Sequence, residues 1–169
     1  MRITKRIARH NGKDKDEWGD NMSIFSSNRL QDYNIIIGCG RLGANIANAL
    51  SSQEKSVLII DSNKDSFRKL SPHFGWLMIT GDATSIEVLQ EANIEKADHV
   101  IVVTDNDNTN IMVAQMTKEL FKVADVVARI YDTDRLCILE NQNVATICPG
   151  DLSINKLDRW IKRTEEGEE

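Results

Sequence analysis

The chain has 169 residues, 41% hydrophobic and 28% charged. That is enough for one globular domain with its own core, but too few for a dinucleotide domain plus a separate substrate domain. Its 21 Lys and Arg stand against 26 Asp and Glu, a formal net charge of −5, which excludes the global positive field of a protein that wraps nucleic acid. Cys39, Cys137 and Cys148 lie far apart with no C-x-x-C pair, which argues against a disulfide framework or zinc site and for a reducing, cytoplasmic setting. There is no apolar run of about 18 residues, so no membrane span is expected. The basic start (Arg2, Lys5, Arg6, Arg9) leads into charged sequence where a secretory signal needs an apolar stretch.

Residues 1–32 read as a flexible or partner-dependent arm: the run Lys13 to Glu17 is all charged, Ser and Asn are frequent, and apolar residues are sparse. The arm has 7 basic and 5 acidic residues, whereas residues 33–149 have 10 basic and 15 acidic. A solvated tail and a basic contact for anionic lipid or an acidic partner both suit this segment.

From Tyr33 onward, short apolar runs alternate with helical patterns, the signature of successive βαβ units. Six strands are predicted at 33–37, 56–60, 76–80, 99–104, 125–130 and 145–148, their continuous apolar character suiting a sheet covered on both faces. Helical patterns run over 42–51, 65–70, 86–92, 110–121 and 135–140. Five right-handed crossovers then give an α/β, doubly wound, Rossmann-type six-stranded parallel sheet in the order 3-2-1-4-5-6. In residues 150–169, Ile154, Leu157 and Ile161 with Trp160 form one amphipathic C-terminal helix before an acidic end.

The first turn reads Gly38-Cys39-Gly40-Arg41-Leu42-Gly43, a G-x-G-x-x-G after a strand and before a helix. Its glycines serve a tight turn, close approach to a phosphate, and close helix packing, while the helix N-terminus presents free amides to the anion. Asp61, followed by Ser62 at the end of the second strand, is the acid expected for ribose hydroxyls, and its charge disfavours a 2′-phosphate. NAD(H) or an adenosine phosphate (ATP, ADP or AMP) is therefore expected rather than NADP(H). Arg41, a cation at a helix start where the dipole disfavours it, invites an anionic partner. Cys39 suits the turn by its small size, with redox sensing as the alternative reading.

Two further polar clusters end strands on the same edge: Gly81-Asp82-Ala83-Thr84, and Thr104-Asp105 through Asn110. Asp82 suits an adenine amino group, and Thr104 and Asp105 suit the crevice above the glycine turn. Helix capping by Thr84 or Ser85, and by Asn108 or Asn110, is a compatible reading. A calcium loop on Asp105, Asp107 and Thr109 fails, because Asn110 and Met116 stand where Gly and Glu are required. No metal site is predicted, with Mg2+ admitted only on a bound nucleotide. Catalysis is not expected either: His10, His73 and His99 form no dyad, and neither a G-x-S-x-G nor a G-x-x-x-x-G-K-[ST] motif occurs.

The segments IIIGCGRLGANIA, VLIID, ITGDAT, IVVTDNDNTN, VVARIYD and ATICP, spread over about 34–149, together resemble the RCK (KTN or Trk-N) nucleotide-binding domain. This domain belongs to regulatory subunits of Trk and Ktr potassium-uptake systems and to potassium channels. The pairing of GDAT with T-D-x-x-x-x-N carries most of the resemblance. It implies that Gly38, Gly40, Arg41 and Gly43 hold phosphates, Asp61 the ribose, and Asp82 with Ala83 the adenine end, while Thr104 and Asp105 line the far side and Arg129 connects to a neighbouring subunit. It also implies a ligand-sensing, non-enzymatic homo-oligomer, dimer or ring, held at the inner face of the membrane by a potassium transporter or channel subunit. Two departures stand out: only 20 residues follow Pro149 where many members add a second lobe, and Gly150 replaces a common acidic residue. A small NAD-linked oxidoreductase and a non-binding Rossmann assembly scaffold are the competing readings.

Overall fold

The computed structural model describes residues 32–165, so the predicted arm lies outside the described residues. Six parallel strands form one sheet: β1 (Tyr33–Ile37), β2 (Ser56–Asp61), β3 (Leu77–Thr80), β4 (His99–Val102), β5 (Asp125–Arg129) and β6 (Ala145–Ile147). Their order is β3-β2-β1-β4-β5-β6, the Rossmann arrangement read from the sequence. β1 pairs with β2 from Tyr33↔Ser56 to Ile37↔Ile60 and with β4 from Asn34↔His99 to Ile37↔Val102. The strand order reverses along this β1–β4 seam, the place where ligands of open parallel sheets bind, outside the carboxyl ends of the strands.

The unbroken apolar runs at the centre of the sheet have a direct cause. Ile35, Ile37, Leu58 and Ile60 enter one core with Val100, Val102 and Leu89, while Ile36, Val57 and Ile59 enter the other with Ala44, Ala47 and Val103. Both faces are buried, so both alternating sets of side chains must be apolar, each large one worth about 1.5–3 kcal/mol. This cover fails at the margins, correcting the expectation for the whole sheet. Leu77 and Met78 on β3 and all of β6 are exposed.

Three α-helices and several 3-10 turns connect the strands, and a fourth α-helix follows the last strand. α1 (Arg41–Ser52), α2 (Ile86–Glu91) and α3 (Asp107–Glu119) lie close to the predicted segments. The predicted helices at 65–70 and 135–140 are 3-10 turns instead, Lys64–Lys69 and Thr133–Ile138. Asn63 and Asp132 cap them by accepting the amides of Asp65 and Asp134, and Phe67 with Leu70 and Leu136 with Leu139 recur at the three-residue 3-10 period. α2 is capped by Ser85. α3 begins three residues earlier than predicted because Asn106, rather than Asn108 or Asn110, accepts the Thr109 amide as its cap. Strands β4 and β5 end before the predicted 104 and 130, where their chains turn into the polar edge.

α4 (Pro149–Glu165) is the amphipathic C-terminal helix expected from Ile154, Leu157 and Ile161. Every residue from Gly150 to Arg163 is exposed, with Ile154 at 64% and Leu157 at 60%. The apolar stripe of this helix is therefore not buried against its own sheet. No described helix is long and apolar enough to cross a membrane.

Candidate functional site

The glycine turn leaves β1 between two neighbouring strand ends. The Gly38 amide donates to Ile60 O at 2.8 Å, and the Val103 amide donates to Ile37 O at 2.8 Å. Gly38 has φ +102°, and a Cβ there would lie 2.9 Å from Thr104 N, so both conformation and space demand glycine. A Cβ on Gly43 would strike Gly38 O at 1.9 Å, which is the close helix packing the motif predicts. Gly40 differs from both. A Cβ there would meet nothing within 4 Å, so the space in front of the turn is open.

That open space faces the start of α1. Gly40 is the N-cap residue, no side chain caps the helix, and no acid occupies its first turn. α2 and α3, by contrast, are capped by Ser85 and Asn106. Arg41 is exposed and has no ion pair or hydrogen bond with a described side chain, leaving an uncompensated cation at the positive end of a helix dipole. Leu42, also partly exposed, can offer a ligand only its amide as a polar contact.

Asp61 closes the site from β2. Its Oδ2 accepts the Cys39 amide at 2.7 Å and its Oδ1 accepts the Asn63 amide at 2.8 Å. Each carboxylate oxygen retains accepting capacity, so holding the turn and binding a diol are compatible. Ser62 is exposed beside it. Cys39 itself is fully buried, and its thiol points at Ser66 O at 3.4 Å. Burial, then the Asp61 charge, pushes the thiol pKa up to about 11, so it is protonated near neutrality and acts as a small packing residue.

The other predicted residues meet along the same edge. The Gly81 amide donates to Asp61 O at 3.0 Å, drawing the β3 turn to β2. Asp82 there is exposed, and the Thr84 amide and hydroxyl, at 2.9 and 2.8 Å, hold its carboxyl below the usual range. Ala83 turns its methyl into the core, leaving only backbone for a ligand. Asp105 is exposed beyond Thr104. Arg129 Nη2 donates to Val103 O at 2.8 Å and Thr104 O at 2.6 Å, and its guanidinium lies 4.8 Å from the Tyr131 ring centroid. Its Nε is buried without a hydrogen-bond partner among the described residues, and no carboxylate pairs with it.

Two residues were not predicted for the site. Asn110 is fully buried and ties Thr104 to the end of β5, and Asp107 accepts the amides of Tyr131 and Asp132 at 2.9–3.1 Å. Asn110 was visible as the last letter of T-D-x-x-x-x-N, yet its residue type equally suits a helix cap. His99 begins β4 at the opposite edge of the sheet, pairing with Asp125 at 3.5 Å. Among the described residues no three His, Cys, Asp or Glu group into a metal site.

Comparison with known proteins bears on the family and the fold. The TrkA-N domain model matches residues 34–149. A Trk system potassium uptake protein TrkA of Streptomyces coelicolor is 39% identical over 113 residues, covering 67% of this chain and 51% of that protein. A Trk system potassium uptake protein TrkA homolog of Pyrococcus abyssi is 33% identical over 135 residues, covering 76% of this chain and 60% of the relative. Among solved structures, the GsuK RCK domain superposes with a TM-score of 0.66 at 26% identity, covering 79% of this chain and 29% of that one. The chain thus spans between half and three-fifths of the length of these two relatives, and it belongs to the TrkA-N domain family.

Proposed function

We propose that this chain is the nucleotide-sensing domain of a potassium-uptake regulator, acting without chemical turnover. The observation that carries the reading is the open space at Gly40, in front of an uncapped helix start whose first residue, Arg41, is a cation without a carboxylate partner among the described residues. A pyrophosphate suits that space: α1 offers amides, Arg41 offers charge, and Asp61 accepts from a ribose. Asp82 and the Ala83 backbone flank the adenine side, while Thr104 and Asp105 flank the far side. The ligand is NAD(H) or ATP, ADP or AMP, since the Asp61 carboxylate repels a 2′-phosphate. In this reading Mg2+ arrives on the nucleotide phosphates.

The relatives' role in potassium uptake extends this reading to a partner. The domain works in the cytoplasm at the inner face of the membrane, as a homo-oligomer on a potassium transporter or channel subunit. Nucleotides bias the pore only through their different affinities for two shapes of that assembly.

The test is the thermal unfolding midpoint of nucleotide-stripped protein with NAD, NADH, NADPH, ATP, ADP and AMP. A ligand at 100 times its Kd adds about 2.7 kcal/mol, and each kcal/mol raises the midpoint of a domain this size by about 2–4 °C. A shift with NAD(H) or an adenosine phosphate, and little with NADPH, is expected. No shift with any of them overturns the reading in favour of an assembly scaffold.

A further inference from the structure

Asn110 satisfies its whole hydrogen-bonding capacity on two residues. Its Oδ1 accepts from Thr104 N at 3.0 Å and Thr104 Oγ1 at 2.6 Å, while its Nδ2 donates to Thr104 O at 3.1 Å and Arg129 O at 2.8 Å. Every polar group of Thr104 is thereby fixed by one buried side chain. Thr104 is also the surface on which the glycine turn rests, because its N and Cα would lie 2.9 and 3.0 Å from a Cβ on Gly38. Gly38 O in turn abuts Gly43 in α1. The path from the first turn of α3 to the start of α1 thus runs through close-packed backbone, with no flexible side chain after Asn110 to absorb a displacement.

We propose that Asn110 is a positioning residue for the phosphate site. It holds Thr104 against the glycine turn and, through the Arg129 carbonyl, makes occupancy of that site felt at the end of β5. This deepens the nucleotide reading above and rests on it. A purely structural buried amide would lower stability when replaced, yet leave the affinity of the folded protein unchanged. Thr117 supplies the matched control: it is on the same helix, is equally buried, and its hydroxyl donates to Val113 O at 2.7 Å, within α3.

Asn110→Asp keeps the shape and the two acceptors but loses both donors and sets a carboxylate against two carbonyls. Thr117→Ala removes a buried hydroxyl away from the glycine turn. ADP and NAD affinities are to be measured by calorimetry on the full chain, at a temperature where each variant is cooperatively folded. Asn110→Asp is expected to weaken both ligands by about tenfold or more. Thr117→Ala is expected to bind like the unaltered protein. Asn110→Asp binding within about twofold of the unaltered chain, or Thr117→Ala losing as much, overturns the proposal.

A second measurement does not depend on the variant folding. In the unaltered protein, saturating ADP is expected to shift both the Asn110 side-chain amide resonances and the Tyr131 backbone amide in NMR spectra. Binding that leaves them unmoved overturns this proposal alone. Absence of binding by ADP and NAD to the unaltered chain removes the nucleotide reading, and this proposal with it.

Discussion

The Cys39 amide donates to Asp61 Oδ2 at 2.7 Å, so the acid ending β2 holds the glycine turn in place before any ligand arrives. Asp61 therefore has two separable roles. Asp61→Ala is expected to lose about 1.5–3 kcal/mol of stability through that charge-assisted bond, and nucleotide affinity as well. Asp61→Asn keeps an acceptor for Cys39 but loses the charge, so its stability loss is smaller while its preference against NADPH weakens. Denaturant melts and calorimetry on both variants check this, and unchanged binding in both would remove Asp61 from the site.

The three glycines of the turn predict three different outcomes. Gly40→Val meets open space at an ordinary φ of −72°, so it is expected to fold with a loss of about 1 kcal/mol at the cap. It should nevertheless abolish the nucleotide-induced rise in the unfolding midpoint, because the side chain fills the phosphate space. Gly43→Ala pushes a methyl onto Gly38 O and is expected to cost about 3 kcal/mol or more. Gly38→Ala adds left-handed strain to a backbone clash and should destabilise the fold similarly. A stable Gly43→Ala protein would contradict the packing described here.

Thiol chemistry provides a pH test. Cys39 is raised to about 11 in the folded chain, above the free-thiol value of about 8.5. Its contribution to stability is thus complete below the unfolded-state pKa and is lost as pH rises toward 11. Tyr33, whose phenol is also raised by burial and by Glu95, adds a loss of the same sign at still higher pH. Cys39→Ala is expected to flatten the decline between about pH 8.5 and 10. In the native protein a thiol reagent should label exposed Cys137 first and reach buried Cys39 and Cys148 only on unfolding.

Leu157→Asp tests the apolar stripe of α4. Leu157 is 60% exposed within the described chain, so the substitution should change the stability of a monomer by no more than about 0.5 kcal/mol. If the stripe joins copies of the domain, the same substitution lowers the mass seen by light scattering. An assembly of undiminished mass would place the contact elsewhere.

The centre of the fold was legible in the sequence because burial on both faces leaves no choice of residue type. β1 matched its predicted bounds, and β2 extended one residue further, to Asp61. The 3-10 turns were misread as helices because apolar residues three apart, as in Phe67 and Leu70, fit both periods over one turn. In the site, Gly38 and Gly43 were legible because steric demand singles out glycine. Asn110 was hidden among Asn106, Asn108 and Asn110, three residues that serve a cap equally well on composition. Only the path of the chain after β4 decides which one caps and which one turns inward.

α4 also has a mechanical consequence. Its 17 residues span about 25 Å, and they follow β6 directly through Cys148. The Ile130 amide bonds to Ile147 O, so the base of this rod is anchored to the strand end that carries Arg129. A tilt of about 5° at that base would sweep the far end through roughly 2 Å, given the helix length. The C-terminal helix is thus a pointer whose tip magnifies adjustments at the carboxyl edge too small to repack the core.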